Sequence, residues 1–181
     1  MNRLELEYLK QMTVMDTQTL DKIMNLYGND IWNYAYFLTK QQALADDIAQ
    51  EVFIKAYFGI HTFRGRATLK TWLLTITRHT AFRYKQTFFF RKVTLKDKLL
   101  IDASSRSAEA EYLDGQYTNE IWAMIMTLPR KFREVLILDF YYEMSINQIA
   151  EFLNLAAGTV KSRLYRARKK VQNLLKENGD E

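Results

Sequence analysis

Four side chains in the first half of the chain could gather around a divalent cation: Asp46, Asp47, Glu51 and His61. On a helix the adjacent Asp46 and Asp47 point to different faces, so only Asp47 and Glu51, one turn apart, can converge. Two carboxylates on one turn are the ordinary make-up of a solvated face. The chain has no cysteine, which removes thiol catalysis, disulfides and zinc knuckles together. No glycine-rich phosphate cradle and no nucleophile paired with a base is visible. We therefore expect no enzyme, no cofactor, no metal and no small-molecule substrate.

What remains is the chemistry of cations. Between Phe152 and Lys176 stand seven basic residues, Lys161, Arg163, Arg166, Arg168, Lys169, Lys170 and Lys176, and no acidic one. A solvated helix would ordinarily interleave both signs, whereas an all-basic polar face suits a phosphate backbone. Thr159, Lys161, Ser162, Tyr165 and Arg166 are placed to reach base edges and the later cations to reach phosphates. A second basic segment interleaves aromatics: Tyr57, Phe58, Phe63, Arg64, Arg66, Trp72, Arg78, Phe82, Arg83 and Tyr84. Cation plus π-surface is what binding of a single strand uses. Trp72 lies on an apolar stripe and reads as core; for Phe63, beside Arg64, Gly65 and Arg66, core packing and base stacking stay equally open.

The elements that must hold these residues read as helices throughout, giving an all-α fold. In 181 residues there are six glycines and one proline, too few for the turns of a β protein, and 48% of residues are hydrophobic. Asp16 or Thr17 caps a first helix whose stripe is Leu20, Ile23, Met24, Tyr27, Ile31, Tyr34 and Leu38, with Gly28 inside it. A second helix, about 43–58, turns Ile48, Ala49, Val52, Phe53 and Ala56 inward and Asp47, Glu51 and Lys55 outward at i,i+4 steps. A third, about 68–87, turns Leu69, Trp72, Leu73, Ile76 and Thr80 inward, with Lys70, Leu74, Arg78, Ala81 and Lys85 on its flank. Beyond a short helix from about Thr118 to Thr127, Pro129 opens the next, to about Tyr141. Ser145 and Gln148 form a capping-box pattern before Ile146–Leu153. The last helix carries Val160, Leu164, Ala167, Val171, Leu174 and Leu175.

Residues 145–165 fit a helix-turn-helix. Ile149 and Leu153 face inward, small Ala150 marks the crossing, Asn154 suits a left-handed turn, and Leu155 and Val160 close the core. The expected domains are 1–87, an acidic linker over 88–117, and 118–181. Net charge is uneven along the chain, at −3 over residues 1–60, +9 over 61–98, −4 over 99–128 and +3 over 129–181. Two basic blocks around an acidic one match a chain that meets a polyanion at two places. The opening MNRLELEYLKQ is no secretory signal, and the longest aliphatic run, Val135 to Leu138, is far below the roughly 18 apolar residues of a membrane span. A soluble cytoplasmic protein is expected.

The stretch ALADDIAQEVFIKAYFGIHTFRGRATLKTWLLTITRHTAFRYKQ, followed by LPRKFREVLILDFYYEMSINQIAEFLNLAAGTVKSRLYRARKKV, resembles a bacterial RNA polymerase sigma factor of the extracytoplasmic-function group. The two segments cover about half the chain in the family's order, and DDIAQEVFIKAY with GTVKSRLYRAR makes the match specific. The resemblance implies a two-domain initiation factor whose partners are core RNA polymerase and promoter DNA. Its first domain would grip the polymerase and melt the minus-ten element, and its second would read the minus-thirty-five element. Asp47, Gln50, Glu51 and Phe53 then fall where the family binds the clamp helices of the largest polymerase subunit. His61, Phe63, Arg64 and Arg66 fall in the loop that holds an extruded base of the non-template strand, and Arg78 and Arg83 would follow its backbone. Thr159, Lys161, Ser162, Arg163, Tyr165, Arg166, Arg168 and Lys169 fall in the minus-thirty-five reader. The acidic linker corresponds to the connector that threads the polymerase's basic RNA channel. The family also admits an anti-sigma partner, which no residue here encodes.

The chain departs from the family pattern in places. His79 stands where Asn is common, Gln148 where an acidic residue is common, and Ala81 and Phe82 where polar or acidic residues are common. These positions bear on promoter preference rather than on class. A two-domain helix-turn-helix repressor or activator with a ligand-sensing first domain would explain residues 118–176 equally well. It would not explain a basic, aromatic segment from His61 to Lys98, because a ligand domain needs a mostly apolar pocket.

Overall fold

A computed structural model describes residues 14–95 and 119–179, with side chains placed over 14–86 and 121–177. The chain divides into two compact units, Met1–Leu99 and Leu100–Glu181. The opening MNRLELEYLKQ and, from residue 96 onward, the acidic linker lie outside the described residues. All the elements described are helical, and among the described residues no helix is long and apolar enough to cross a membrane.

Among the described residues the first unit has three α-helices, α1 (Thr17–Thr39), α2 (Gln42–Gly59) and α3 (Leu69–Leu95), with a 3₁₀ turn at Ile60–Thr62. Asp16 starts α1: its carboxylate accepts from the Thr19 amide at 2.8 Å and from the Thr19 hydroxyl at 2.9 Å. These bonds hold the Asp16 carboxyl below its ordinary range. Gly28 does not interrupt the helix, which runs on until Lys40 enters the left-handed region at φ 62° and donates to the Tyr36 carbonyl. The expected apolar stripe of α1 is corrected at its start. Leu20 is half-buried and Met24 exposed, while Ala35 and Phe37 join Ile23, Ile31, Tyr34 and Leu38 in the core.

Helix α3 packs against both α1 and α2, and this double contact widens its buried arc. Leu69, Leu73, Leu74, Thr77, Thr80 and Ala81 are buried, whereas Trp72 and Ile76, expected inside, are half-buried. Thr77 tolerates burial because its hydroxyl donates to the Leu73 carbonyl at 2.9 Å. The helix passes its expected end at Thr87 and continues to Leu95. Loss of amphipathic rhythm after Lys85 does not end a helix when neither glycine nor proline intervenes.

The second unit comprises α4 (Asn119–Thr127), α5 (Arg130–Phe140), α6 (Ile146–Leu153) and α7 (Ala157–Gly179), with α4, α5 and α6 all contacting α7. Pro129 holds φ at −55° immediately before α5. The capping box at α6 is formed in both directions: the Gln148 amide donates to Ser145 Oγ at 3.3 Å and the Ser145 amide to Gln148 Oε1 at 2.8 Å. Asn154 adopts φ 54° and ψ 55°, the left-handed turn its side chain tolerates. Ile149, Leu153, Val160, Leu164 and Ala167 fill the core, each large aliphatic contributing about 1.5–3 kcal/mol by burial. The α7 stripe is corrected at its far end, where Val171 and Leu174 are half-buried and Leu175 is 44% exposed.

Candidate nucleic-acid and partner interfaces

Helix α2 buries Ala45, Ile48, Val52, Phe53 and Ala56, and this fixes what its other side can offer. Asp47 and Gln50 are exposed, but Phe53 is 6% exposed and belongs to the core. As a surface contact Phe53 is therefore corrected: it shares the inward face with Val52. Ile54, which sequence reasoning passed over, is 58% exposed, and Phe58, read there only within the aromatic basic segment, is 71% exposed. At 3.6 residues per turn they continue the stripe of Asp47, seven and eleven positions on. That spacing was the available signal.

Glu51 is not an open carboxylate. Its Oε1 accepts from Lys55 Nζ at 2.8 Å and from Arg83 Nη2 across on α3, and Lys55 also donates to Thr80 Oγ1 at 2.9 Å. Burial pushes the Glu51 carboxyl up, and the bonds from Lys55 and Arg83 outweigh it, holding the group below the ordinary carboxylate range. Burial pushes the nearby Tyr84 hydroxyl up, and the proximity of Glu51 adds to the rise. Asp46 turns away from Asp47 to accept from the Trp32 indole at 2.6 Å. Among the described residues no three His, Asp or Glu side chains form a cluster able to hold a metal ion.

Between the 3₁₀ turn and α3 lies a cavity of about 300 Å³, lined by Thr62 to Ala67 together with Trp72 and Thr75. Gly65, at φ 64°, makes the turn that closes it. Thr68 anchors the start of α3 by accepting from the Thr71 amide at 3.1 Å. Phe63 is 2% exposed, with its ring 5.6 Å from Trp72 and tilted by 53°. It forms the cavity's interior wall and presents no open stacking face, which corrects the free-stacking alternative. Trp72, expected in the core, is half-buried and lines the same cavity. Arg64 and Arg66 also line it, with their side chains exposed. His61 is exposed in the 3₁₀ turn and does not line the cavity. Arg78 lies 4.7 Å over the Phe82 ring, and Arg83 is held by Glu51.

In the second unit, α7 presents its cations opposite Val160, Leu164 and Ala167. Helical geometry puts Ser162, Tyr165, Arg166 and Lys169 on the outer face, Lys161 and Arg168 at one edge, and Thr159 and Arg163 at the other. Tyr165 is 69% exposed. Ser162 donates to the Thr159 carbonyl at 2.9 Å, which leaves its oxygen's lone pairs outward. Arg168 reaches Asp139 at 2.7 Å and is partly neutralised. Sequence reasoning missed Arg133, which is 3% exposed and donates from Nη1 to the carbonyls of Met126 and Leu128, each at 3.1 Å. The buried guanidinium thus satisfies acceptors at the end of α4 and pins the turn into α5. Burial is the main cause lowering its pKa, followed by Arg130, with Glu134 opposing.

Residues 23–87 match the family model described as Sigma-70 region 2, and residues 118–171 the one described as Sigma-70, region 4. The ECF RNA polymerase sigma factor SigX of Bacillus subtilis is 32% identical over 168 residues, covering 88% of this chain and 87% of that protein. SigM of the same organism is 27% identical over 156 residues, covering 86% of this chain and 94% of its own length. Among solved structures, the sigma factor RpoE of Bartonella quintana, crystallised with the anti-sigma factor NepR, superposes with a TM-score of 0.68 at 28% identity. That match covers 88% of this chain and 98% of the other.

Proposed function

The chain belongs to the extracytoplasmic-function RNA polymerase sigma factors, and from that premise we propose how its residues divide the work of initiation. As a transcription initiation factor it binds core RNA polymerase and promoter DNA. Residues 1–87 are assigned to the polymerase and the minus-ten element, 88–117 to the connector, and 118–181 to the minus-thirty-five element. We give the protein no reaction, metal or cofactor of its own, and place it in the cytoplasm with the polymerase. The ligand-sensing regulator is set aside, because residues 23–87 match sigma region 2.

On this reading Asp47 and Gln50, extended by Ile54 and Phe58, face a cationic and apolar surface of the polymerase, and Phe53 supports α2 from beneath. The cavity beside Arg64 and Arg66 takes one extruded base of the melted strand, with His61 at its approach and Arg78 and Arg83 further along the strand. Helix α7 enters the major groove, Arg166 and Tyr165 towards base edges and Lys169 towards phosphate. An anti-sigma protein is the third partner, by analogy with the Bartonella quintana relative seen with NepR.

The observation that carries this division is the shape of the two cationic surfaces: a cavity that can enclose one flat group, and a convex helix face. Permanganate reactivity of promoter thymines tests it. Arg64→Ala holoenzyme should keep its affinity for a duplex minus-thirty-five probe and lose open-complex reactivity. Full reactivity would place base capture elsewhere.

A further inference from the structure

Two cations, one from each of two helices, converge on one carboxylate. Glu51 accepts from Lys55 Nζ at 2.8 Å and from Arg83 Nη2. Lys55 is anchored independently, donating at 2.9 Å to Thr80, which is fully buried. The exposures run opposite to those of a carboxylate offered to a partner: the Glu51 side chain is 23% exposed and that of Arg83 56%. Asp47, one turn earlier, is the carboxylate that faces solvent.

We propose that Glu51 is the internal counter-ion of Arg83, a positioning residue that holds this guanidinium against α2 in the free protein until a nucleic-acid phosphate takes its place. The proposal rests on the reading that Arg83 follows the backbone of a single strand. Carboxylate and phosphodiester both present oxygens to the guanidinium fork, so one anion can replace the other at the same donor. Lys55 makes the exchange possible. Held by Thr80, it stays beside Glu51 when Arg83 swings away, so the carboxylate is not left without a cation. While Glu51 remains close, the Arg83 contact adds little net positive charge to the surface and releases few counterions from the strand.

The experiment uses the full chain and a labelled single-stranded oligodeoxythymidine, with affinity read by fluorescence anisotropy across a salt series. Glu51→Gln keeps the side chain's size and removes its charge. It should tighten binding by up to about fivefold, the factor that matches the strength of an exposed ion pair. It should also steepen the dependence of log affinity on log salt by about 0.7, one further phosphate on a single strand. Asp21→Asn, the same charge change at an exposed position of α1, should do neither to that extent. Equal changes in the two variants would overturn the proposal, because net charge alone would then explain them. So would unchanged binding by Glu51→Gln together with weakened binding by Arg83→Ala. If the doubly substituted Glu51→Gln, Arg83→Ala protein binds as tightly as Glu51→Gln alone, it is the placement of Arg83 on the strand that fails.

Discussion

Helix α3 of the first unit and helix α7 of the second carry cations of opposite readiness. In the first, Arg83 is held by Glu51, Lys70 pairs with Asp30 at 2.9 Å, and Arg78 lies over Phe82. In the second, Lys161, Arg166 and Lys169 stand exposed on α7, and among the described residues only Arg168 of that helix reaches an acid. An open cation attracts any phosphate at any time, and its strength falls with salt. A cation already paired inside the protein attracts weakly until its partner is displaced. On the proposed division of labour the contrast fits the two substrates: duplex DNA is always there to be searched, whereas a melted strand exists only once the polymerase has opened it.

The largest effect that could break this comparison lies in the cavity. Phe63→Ala removes a ring buried against Trp72 and should cost the first unit about 3–5 kcal/mol. Arg64→Ala, on the exposed side, should stay within about 0.5 kcal/mol. Urea unfolding followed by the fluorescence of Trp32 and Trp72 measures both. If Phe63→Ala kept its stability yet lost promoter melting, the ring would be a stacking surface and the first unit would present an open one after all.

Next comes the acidic face. Asp47→Lys should weaken core polymerase binding by about 2–5 kcal/mol, the range for breaking a close interfacial charge pair. Glu51→Gln should weaken it far less, because that carboxylate is spent within the protein. Titration of labelled core enzyme compares them directly. Equal losses would mean that Glu51 leaves Arg83 for the polymerase, and the pairing that separates the two units would not persist in the holoenzyme.

The pattern of what was legible in the sequence follows from which interactions are local. Capping by Asp16, the Ser145–Gln148 box and the left-handed Asn154 depend on neighbours within a few residues, and local chemistry announced them. The ends of α6 were read correctly for the same reason. Phe53 is read inward from its spacing, and only the role carried over from the family put it at a surface; Phe63 stays open in the sequence, because an aromatic beside charged residues looks the same whether it lines a surface or seals a core, and only packing against Trp72 decides. Arg83 was read as a free cation since its acid sits thirty-two positions earlier, a separation at which sequence carries no charge-pairing signal. Arg133 stayed hidden likewise: the second arginine of LPRKFRE gives no sign that it will be buried under the carbonyls of the preceding helix.

A smaller effect sharpens the second unit. Arg166→Ala should cost about 1–3 kcal/mol on the cognate minus-thirty-five duplex and blur discrimination at one base pair. Lys169→Ala should weaken all sequences alike and reduce the salt slope by about 1. Lys161, at the edge of the outer face, should lose less discrimination than Arg166. Holoenzyme binding to cognate and singly substituted duplexes over a salt series separates the three. Uniform losses for every variant would remove base reading from α7 and leave only open charge.

The smallest effect is acid sensitivity, and it should distinguish the units by sign and position. The folded Glu51 carboxyl titrates below its ordinary range because the bonds from Lys55 and Arg83 outweigh the upward push of burial. A depressed carboxyl stabilises the fold above its unfolded pKa, about 4.3 for Glu, and that stability drains away as pH falls through the lower folded value. Since the side chain is still 23% exposed, solvent screening limits the contribution to about 1 kcal/mol or less. Asp16 shifts in the same direction at the start of α1, so the raw acid loss of the first unit is not Glu51's alone. The difference between wild type and Glu51→Gln removes that background, because both proteins keep the cap. We expect wild type to be the more stable near neutral pH, and the gap to close as pH falls through the lowered folded value and Glu51 takes up its proton. The Arg133 clamp of the second unit, whose donor stays protonated throughout, should show no such window. A gap that persisted unchanged into acid would mean that the Glu51 charge does not stabilise the first unit, and that its pairing with Arg83 is geometry without energy.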